Sequence, residues 1–386
     1  MYKILIHTPD FPLWGGGIST VAFEYAKVLT LAGHRVVVIT PEQTAEDTGW
    51  DRRQPFRILR TRKHKAFWLQ YLDGLRVTRN VVRSESFDFT ISQRWNVSGL
   101  ICHFLSKHHK ILHLQWFHGN EMYDRHRRGI WARLLLQSIR DAQANVCLSR
   151  FCENALRSTV PFGFASSVIY PGVNSEQFHP ATDAERIKLR KQLGFDGSMV
   201  LLSLGRLVER KGQDMVIAAL PKLVKQFPDV LYVIAGRGSD RDRLSRLVDS
   251  HGVAKFVRFD GFVPDARKAA YYQACDIYMM PSREIRERGD VEGFGLTFLE
   301  ANACGRPVIG GRSGGCGEAI QHGENGFLVD PGNSLELVDA IAALLDSRDL
   351  YRQMSERAVQ YVRARFTWQA SAQQVLQLVP SAFACR

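Results

Sequence analysis

The chain is 386 residues long, 45% hydrophobic and 23% charged, with a formal net charge of +12, a length that predicts about two domains of ordinary size. No apolar run reaches the ~18 residues needed to span a bilayer, and MYKILIHTPDF leads directly into a strand-like segment, so neither a membrane span nor a secretion signal is expected. The seven cysteines, Cys102, Cys147, Cys152, Cys275, Cys304, Cys316 and Cys385, are odd in number, scattered and free of any C-x-x-C pair. That speaks against a disulfide framework or a zinc site and fits a reducing cytoplasm.

From the N-terminus, Lys3 to His7 reads as a short apolar strand, Pro9 to Gly17 as a loop, Ile18 to Leu31 as an amphipathic helix closed by Gly33, and Arg35 to Thr40 (RVVVIT) as a second strand. This is one βαβ unit of a doubly wound parallel sheet. Residues 1 to 172 hold 23 Lys+Arg against 13 Asp+Glu, a net of +10, whereas the remainder nets only +2. The basic excess of the first half points to an anionic partner there.

Residues 60 to 83, RTRKHKAFWLQYLDGLRVTRNVVR, concentrate that excess: seven Lys/Arg, Arg62, Lys63 and Lys65 among them, face one acid, Asp73, with Phe67, Trp68, Leu69, Tyr71 and Leu72 interspersed. Basic residues with aromatic and aliphatic anchors suit the anionic cytoplasmic face of a membrane, and Arg125, Arg127 and Arg128 with Trp131 add to them. A solvated helix with part of its apolar set in the core is the other reading of the segment.

A polar stretch from about Val173 to Ser198 reads as the linker, after which the same grammar restarts. Strands are expected at Met199 to Leu204, Val230 to Ala235, Phe256 to Phe259, Ile277 to Met280 and Pro307 to Gly310. Helices are expected at Gln213 to Phe227, Ser239 to His251, Asp265 to Ala274 and Leu296 to Cys304. Two Rossmann-like α/β domains with a cleft between them follow, 1–172 and 173–366. After a helix from Asp349 to Arg365, the tail 367–386 should form a last helix crossing back onto the first domain, with Trp368 as its packing anchor.

Ligands of open parallel sheets bind beyond the carboxyl ends of the strands, so the segments just after strands are where chemistry is sought. DVEGFGLTFLEANACGRPVIG, residues 290 to 310, places Glu292 before a helix and Glu300 about one turn into it. Gly293 and Gly295 allow the backbone to approach a ligand, and the helix N-terminus favours a diphosphate. Glu300 shares a stripe with Leu296, Ala303 and Cys304, where a carboxylate needs hydrogen-bond donors; a ribose diol supplies two. Spacing alone leaves a plainer reading open, with Glu292 solvated and Glu300 bonded to protein. In SLGRLVERKGQD, residues 203 to 214, Arg206 and Lys211 can grip a diphosphate, although loop cations are commonly just solvated.

Taken in order, GRLVERKG at Gly205 to Gly212, E-x7-E at Glu292 to Glu300, GGCGE at Gly314 to Glu318 and NGFLVDPG at Asn325 to Gly332 resemble family 4 of the retaining glycosyltransferases, which have the GT-B fold. The resemblance is strong over residues 200 to 366, clear over the first 40 and weak between 45 and 110. It implies that Glu292 contacts the donor sugar hydroxyls beside the backbone of Gly293, Phe294 and Gly295. It further implies that Glu300 holds the ribose and that Arg206 and Lys211 bind the diphosphate. The GGG loop at Gly15 to Gly17, with Gly16 and Gly17 as donor-binding residues, would face the donor phosphates from the first domain, and His118 in WFHGNE matches the family's donor-site histidine. Read without the resemblance, the glycines form a flexible turn and His118 is a structural hydrogen-bonder.

The resemblance also implies transfer of a hexose from a nucleotide diphosphate sugar to an acceptor hydroxyl, with retention by front-face attack and a leaving phosphate oxygen taking the acceptor's proton. No cofactor and no metal is required in that scheme. The single D-x-D, Asp240 to Asp242, reads instead as helix capping. The run SREIRERGDVEGFG resembles the loop of bacterial mannosyltransferases that use GDP-mannose, with UDP-glucose as the alternative donor. A lipid-linked or glycan acceptor at the cytoplasmic face of an anionic membrane completes the expectation. No nucleic-acid motif accompanies the basic half, which argues against nucleic acid as the partner. A sugar-nucleotide epimerase or a phosphorylase of similar architecture remains the rival enzyme class.

Overall fold

The computed structural model describes residues 1–13, 16–44, 46–119, 121 and 129–380. The chain divides into two compact units, one of residues from Met1–Gly172 together with the C-terminal segment that begins at Trp368, the other Val173–Thr367.

The first unit is built on seven strands, β1 (Lys3–His7), β2 (Arg35–Pro41), β3 (Arg57–Thr61), β4 (Phe89–Ser92), β5 (Leu112–Phe117), β6 (Ala144–Cys147) and β7 (Ser166–Val168). All neighbours are parallel, in the order β3-β2-β1-β4-β5-β6-β7. The apolar runs of β1 and β2 are buried on both faces, as a parallel sheet covered by helices requires. The order reverses between β1 and β4, which pair from Ile4↔Phe89 to His7↔Ser92. The C-terminal helix Trp368–Gln377 packs on the helix Gly17–Leu31 in this unit. There the Trp368 ring meets Tyr25 edge-on at 5.4 Å, and the Tyr25 hydroxyl lies 2.7 Å from Ser371 Oγ.

The second unit carries β8 (Met199–Leu204), β9 (Val230–Ala235), β10 (Val257–Gly261), β11 (Ile277–Met280), β12 (Val308–Gly311) and β13 (Gly326–Val329), in the order β10-β9-β8-β11-β12-β13. Its reversal falls between β8 and β11. Leu201, Ile217, Leu220, Ile234, Met279 and Ile341 lie in one continuous core on a face of this sheet.

Two sequence expectations are corrected here. The stretch 173–198 is not a plain linker, because it contains the helix Asp183–Leu193. Thr182 and Glu185 close a full capping box, Gly194 ends the helix at φ +65°, and Arg186 and Arg190, one turn apart, both pair with Asp276. Asp240 stands at the N-cap of the helix Arg241–Ser250 and Asp242 in its first turn, where an acid complements the helix dipole, but the Asp240 side chain makes no capping hydrogen bond; its two oxygens instead take Nε and Nη2 of Arg243, each at 2.6 Å.

Candidate functional site

The reversal between β8 and β11 brings together the two segments singled out in the sequence, since Gly205–Gly212 follows β8 and residues 281–295 follow β11. The first segment ends in a tight turn, Glu209–Lys211, closed by Gly212 at φ +74°. A Cβ on Gly212 would stand 2.1 Å from the Pro281 carbonyl oxygen, so only glycine lets this turn lie against the exit of β11. The GGCGE motif braces the other side. Gly315 N–H donates to the Glu292 carbonyl at 2.8 Å, and a Cβ on Gly314 (φ +57°) would meet that oxygen at 2.3 Å.

Held by these backbone contacts, Glu292 receives Lys211 Nζ at 2.5 Å and Arg210 Nη1 at 2.6 Å, both on Oε2. Arg210 Nε lies 2.7 Å from Asp290 Oδ1. Burial by itself would raise the Glu292 carboxyl, but Lys211 and Arg210 overcome it and hold it down at about 2. Burial lowers Lys211 from its ordinary value even against Glu292, with Arg210 and Arg206 pushing the same way. Arg206 is exposed, and its guanidinium has no ion pair or hydrogen bond among the described residues. With Asp290, three cations thus confront two carboxylates, and the surplus positive charge matches an anionic ligand.

Glu300, 6% exposed in the helix Leu296–Ala303, accepts from the Tyr272 hydroxyl at 2.7 Å through Oε2. Burial raises its carboxyl, opposed by Lys268, which in turn pairs with Asp265 at 2.6 Å. Glu300 and Glu292 therefore answer to different partners. Phe294 is 3% exposed, with its ring 5.8 Å from Phe366, so its side chain belongs to the core. Gly293 is buried, and Gly295 (φ +100°) starts the helix with no side-chain cap. NGFLVDPG is structural at its head: Asn325 is fully buried and bonded to Asn302 Oδ1 at 2.8 Å and to Gln321 N–H at 2.7 Å.

Gly16, Gly17 and His118 belong to the first unit. Gly16 and Gly17 are exposed at the start of the helix Gly17–Leu31, which has no side-chain cap among the described residues, and Gly15 lies outside them. His118 Nε2 is 3.1 Å from Gln93 Oε1, while the His118 and Gly119 N–H groups donate to Glu121 Oε2 at 3.0 and 2.8 Å. Burial, reinforced by Arg94, drives the imidazole down to about 3, so it is neutral at pH 7. In the tautomer with the proton on Nε2, the ring donates to Gln93 Oε1.

The basic segment splits. Phe67 turns inward, edge-on to Trp131 at 5.0 Å, which corrects its reading as a surface contact. Trp68 is 55% and Leu72 53% exposed, Leu69 less so, and Arg62, Lys63 and Lys65 are exposed beside them. Arg125, Arg127 and Arg128 lie outside the described residues. Among the described residues no helix is long and apolar enough to cross a membrane. The residue that sequence reasoning missed is Arg210, 5% exposed and bonded to Glu292, next to a lysine already singled out. Its neighbourhood, ERK at the end of a loop, carries no local signal of burial.

Residues 185–361 match the family described as Glycosyl transferases group 1, and residues 15–177 match the one described as Glycosyltransferase Family 4. Over 387 aligned positions the chain is 31% identical to the GDP-mannose-dependent alpha-(1-6)-phosphatidylinositol monomannoside mannosyltransferase of Mycobacterium tuberculosis (strain ATCC 25618 / H37Rv), covering 96% of each. It is 27% identical, over 98% of each, to the GDP-mannose-dependent monoacylated alpha-(1-6)-phosphatidylinositol monomannoside mannosyltransferase of Corynebacterium glutamicum. The solved structure of Anabaena Alr3699/HepE in complex with UDP and glucose superposes with a TM-score of 0.82 at 23% identity, over 99% of this chain and 100% of that one. That likeness fixes the architecture as GT-B.

Proposed function

The chain belongs to family 4 of the GT-B glycosyltransferases and is an enzyme that transfers a hexose, and from that premise we propose that it moves mannose from GDP-mannose, with retention, to a hydroxyl of a lipid-linked acceptor. Full-length similarity to two GDP-mannose-dependent enzymes acting on phosphatidylinositol monomannosides supports the choice of donor and the class of acceptor.

The observation that carries the reading is the convergence of Arg210 and Lys211 on a single oxygen of Glu292. An ionised carboxylate only accepts hydrogen bonds, and with Oε2 taken by two cations, Oε1 is the atom left for a sugar hydroxyl. Arg206 and Lys211 would hold the diphosphate and offset the charge that grows on it as the glycosidic bond breaks. Glu300 would take the two ribose hydroxyls, with Tyr272 holding its other oxygen in place. Gly16, Gly17 and His118 are the first unit's own candidates for contact with a sugar nucleotide. No carboxylate takes a nucleophile's role in this scheme, so the acceptor's proton passes to a phosphate oxygen of the leaving nucleotide. The exposed Trp68 and Leu72 among Arg62, Lys63 and Lys65 would seat the first unit on an anionic membrane surface where such acceptors reside.

The direct test is calorimetric titration of the purified chain with GDP, UDP, GDP-mannose and UDP-glucose, followed by product analysis with a lipid acceptor. Selective binding of GDP and GDP-mannose is expected. Selective binding of UDP overturns the donor while leaving the family intact, and interconversion of a nucleotide sugar without any acceptor would point to the epimerase class.

A further inference from the structure

The strands β4 and β5 run side by side, pairing up to Ser92↔Gln115, so the residues that follow them, Gln93 to Trp95 and His118 to Gly119, emerge together at the carboxyl edge of the first sheet. Ligands of such sheets bind at that edge, and His118 is the residue there that the reading above gives to the sugar nucleotide. Its place is set by Glu121, the acid of WFHGNE.

Glu121 is 1% exposed, and a carboxylate so buried is costly unless donors reach it. Two do: His118 N–H at 3.0 Å and Gly119 N–H at 2.8 Å, both on Oε2. The convergence of two successive N–H groups on one oxygen marks a turn wound around an anion. Gly119, at φ +114°, supplies a backbone conformation that a residue with a side chain rarely adopts. Burial raises the Glu121 carboxyl, opposed by Arg94 and by the N–H groups of the turn. The other oxygen, Oε1, stands 3.8 Å from Arg94 Nε, and neither atom has a hydrogen-bond partner among the described residues. Arg94 thus offsets the buried charge while leaving Oε2 to the turn.

The imidazole is gripped at a second point. Gln93, fully buried and anchored through its N–H to the His7 carbonyl at 3.0 Å, presents Oε1 at 3.1 Å from His118 Nε2. Of Gln93, His118 and Glu121, only His118 keeps part of its surface exposed. With the ring tied to Gln93, what remains to be fixed is the His118 backbone, and Glu121 fixes it.

We propose that Glu121 is a positioning residue for the transfer reaction, acting through His118: by drawing the His118 and Gly119 N–H groups onto one oxygen, it sets the backbone from which the imidazole meets the sugar nucleotide. The proposal rests on the reading of His118 as a contact of the sugar nucleotide and adds the residue that holds that contact in place. Displacement of such a group by about 1 Å costs about 100-fold in rate.

The test is a double-mutant cycle in the full chain, read as the rate of GDP-mannose hydrolysis, with UDP-glucose assayed in parallel and GDP affinity measured by calorimetry on every variant. Glu121→Ala is expected to lower kcat/KM about 100-fold in the parent background, and by no more than about twofold on top of His118→Ala, because the residue it positions is already gone. GDP affinity is expected to hold, since Arg206, Lys211 and Glu300 are untouched. Glu121→Gln, whose amide oxygen accepts from the same two N–H groups, is expected to recover most of the activity, which a requirement for negative charge would not allow. Glu121→Asp, one methylene shorter, carries the same cycle if the alanine variant does not fold. Losses from Glu121→Ala and His118→Ala that multiply in the double variant, or a Glu121→Gln variant as slow as Glu121→Ala, overturn the positioning role and leave His118 in its own. A His118→Ala variant as fast as the parent removes His118 from the site, and the proposal with it. Hydrolysis of neither nucleotide sugar by the parent chain counts against the donor reading and the proposal alike.

Discussion

Arg210 and Glu292 are 82 positions apart in sequence and meet at 2.6 Å on the oxygen that Lys211 also reaches. Arg210 simultaneously holds Asp290, so this one side chain ties the turn after β8 to the loop after β11. Arg210→Met should therefore leave the largely buried Glu292 and the part-exposed Asp290 each short of a partner. We expect the unfolding free energy in urea to fall by about 3 kcal/mol and turnover to fall with it. A variant as stable and active as the parent would mean that Lys211 alone positions Glu292.

The same pairing fixes a pH dependence. The Glu292 carboxyl is held at about 2 against an ordinary 4.5. A depressed folded value means that its contribution to stability is fully present above about 4.5 and is lost as the pH falls toward about 2. In Arg210→Met the folded value rises, so this contribution shrinks and the acid limb of kcat/KM moves upward. Superimposable acid limbs for parent and variant would show that Glu292 is not the group that titrates.

Glu292→Gln keeps the shape of the side chain and removes its charge. Transfer should drop by about 100-fold or more if Oε1 orients a sugar hydroxyl in the transition state. GDP affinity should change by no more than about threefold, since Arg206 and Lys211 remain. Equal losses in kcat and in GDP binding would instead place Glu292 in uniform nucleotide binding.

Glu300 is expected to behave in the opposite way. Glu300→Ala removes two charge-assisted acceptors and should weaken GDP by about 10-fold to 100-fold, measured by calorimetry. Burial raises this carboxyl above 4.5, so protein stability falls as the pH rises from there through the folded value, while nucleotide affinity rises over the same interval because the ionised form is the better acceptor. GDP binding that is flat with pH across that interval would remove Glu300 from the ribose site.

Much of this arrangement could be read from the chain. RVVVIT and VLYVIA are apolar on both faces and could only be central parallel strands, and glycines after strands marked where loops press on neighbours. Helix Asp183–Leu193 escaped because its apolar content is low and it is held by Arg186 and Arg190 on Asp276, although T-x-x-E at Thr182 to Glu185 was a visible start signal. Arg210 escaped for another reason: its burial is created by a loop 80 residues further on, and no local pattern encodes that. The inward turn of Phe67 likewise depends on Trp131, which a helical wheel of residues 67–84 does not contain.

Trp368 and Ser371 fasten the C-terminal helix to Tyr25. Trp368 is 4% exposed, so Trp368→Ala should remove about 3–5 kcal/mol of stability from the first unit, and Ser371→Ala about 1 kcal/mol. Deleting residues 367–386 should then impair folding or turnover. A truncated chain with full activity would show that the helix is dispensable to the unit on which it packs.

The membrane reading turns on Trp68 and Leu72, which are one turn apart on the helix Phe67–Ser84 and more than half exposed. Neither packs in a core, so Trp68→Glu and Leu72→Glu should barely alter the melting temperature. On anionic vesicles the substitutions lose apolar insertion and add repulsion, and sedimentation should show binding reduced about tenfold or more, the residue increasingly salt-sensitive. GDP-mannose hydrolysis in the absence of vesicles should be unchanged, because neither residue belongs to the donor cluster. Undiminished vesicle binding by the double variant would move the membrane contact elsewhere on the first unit.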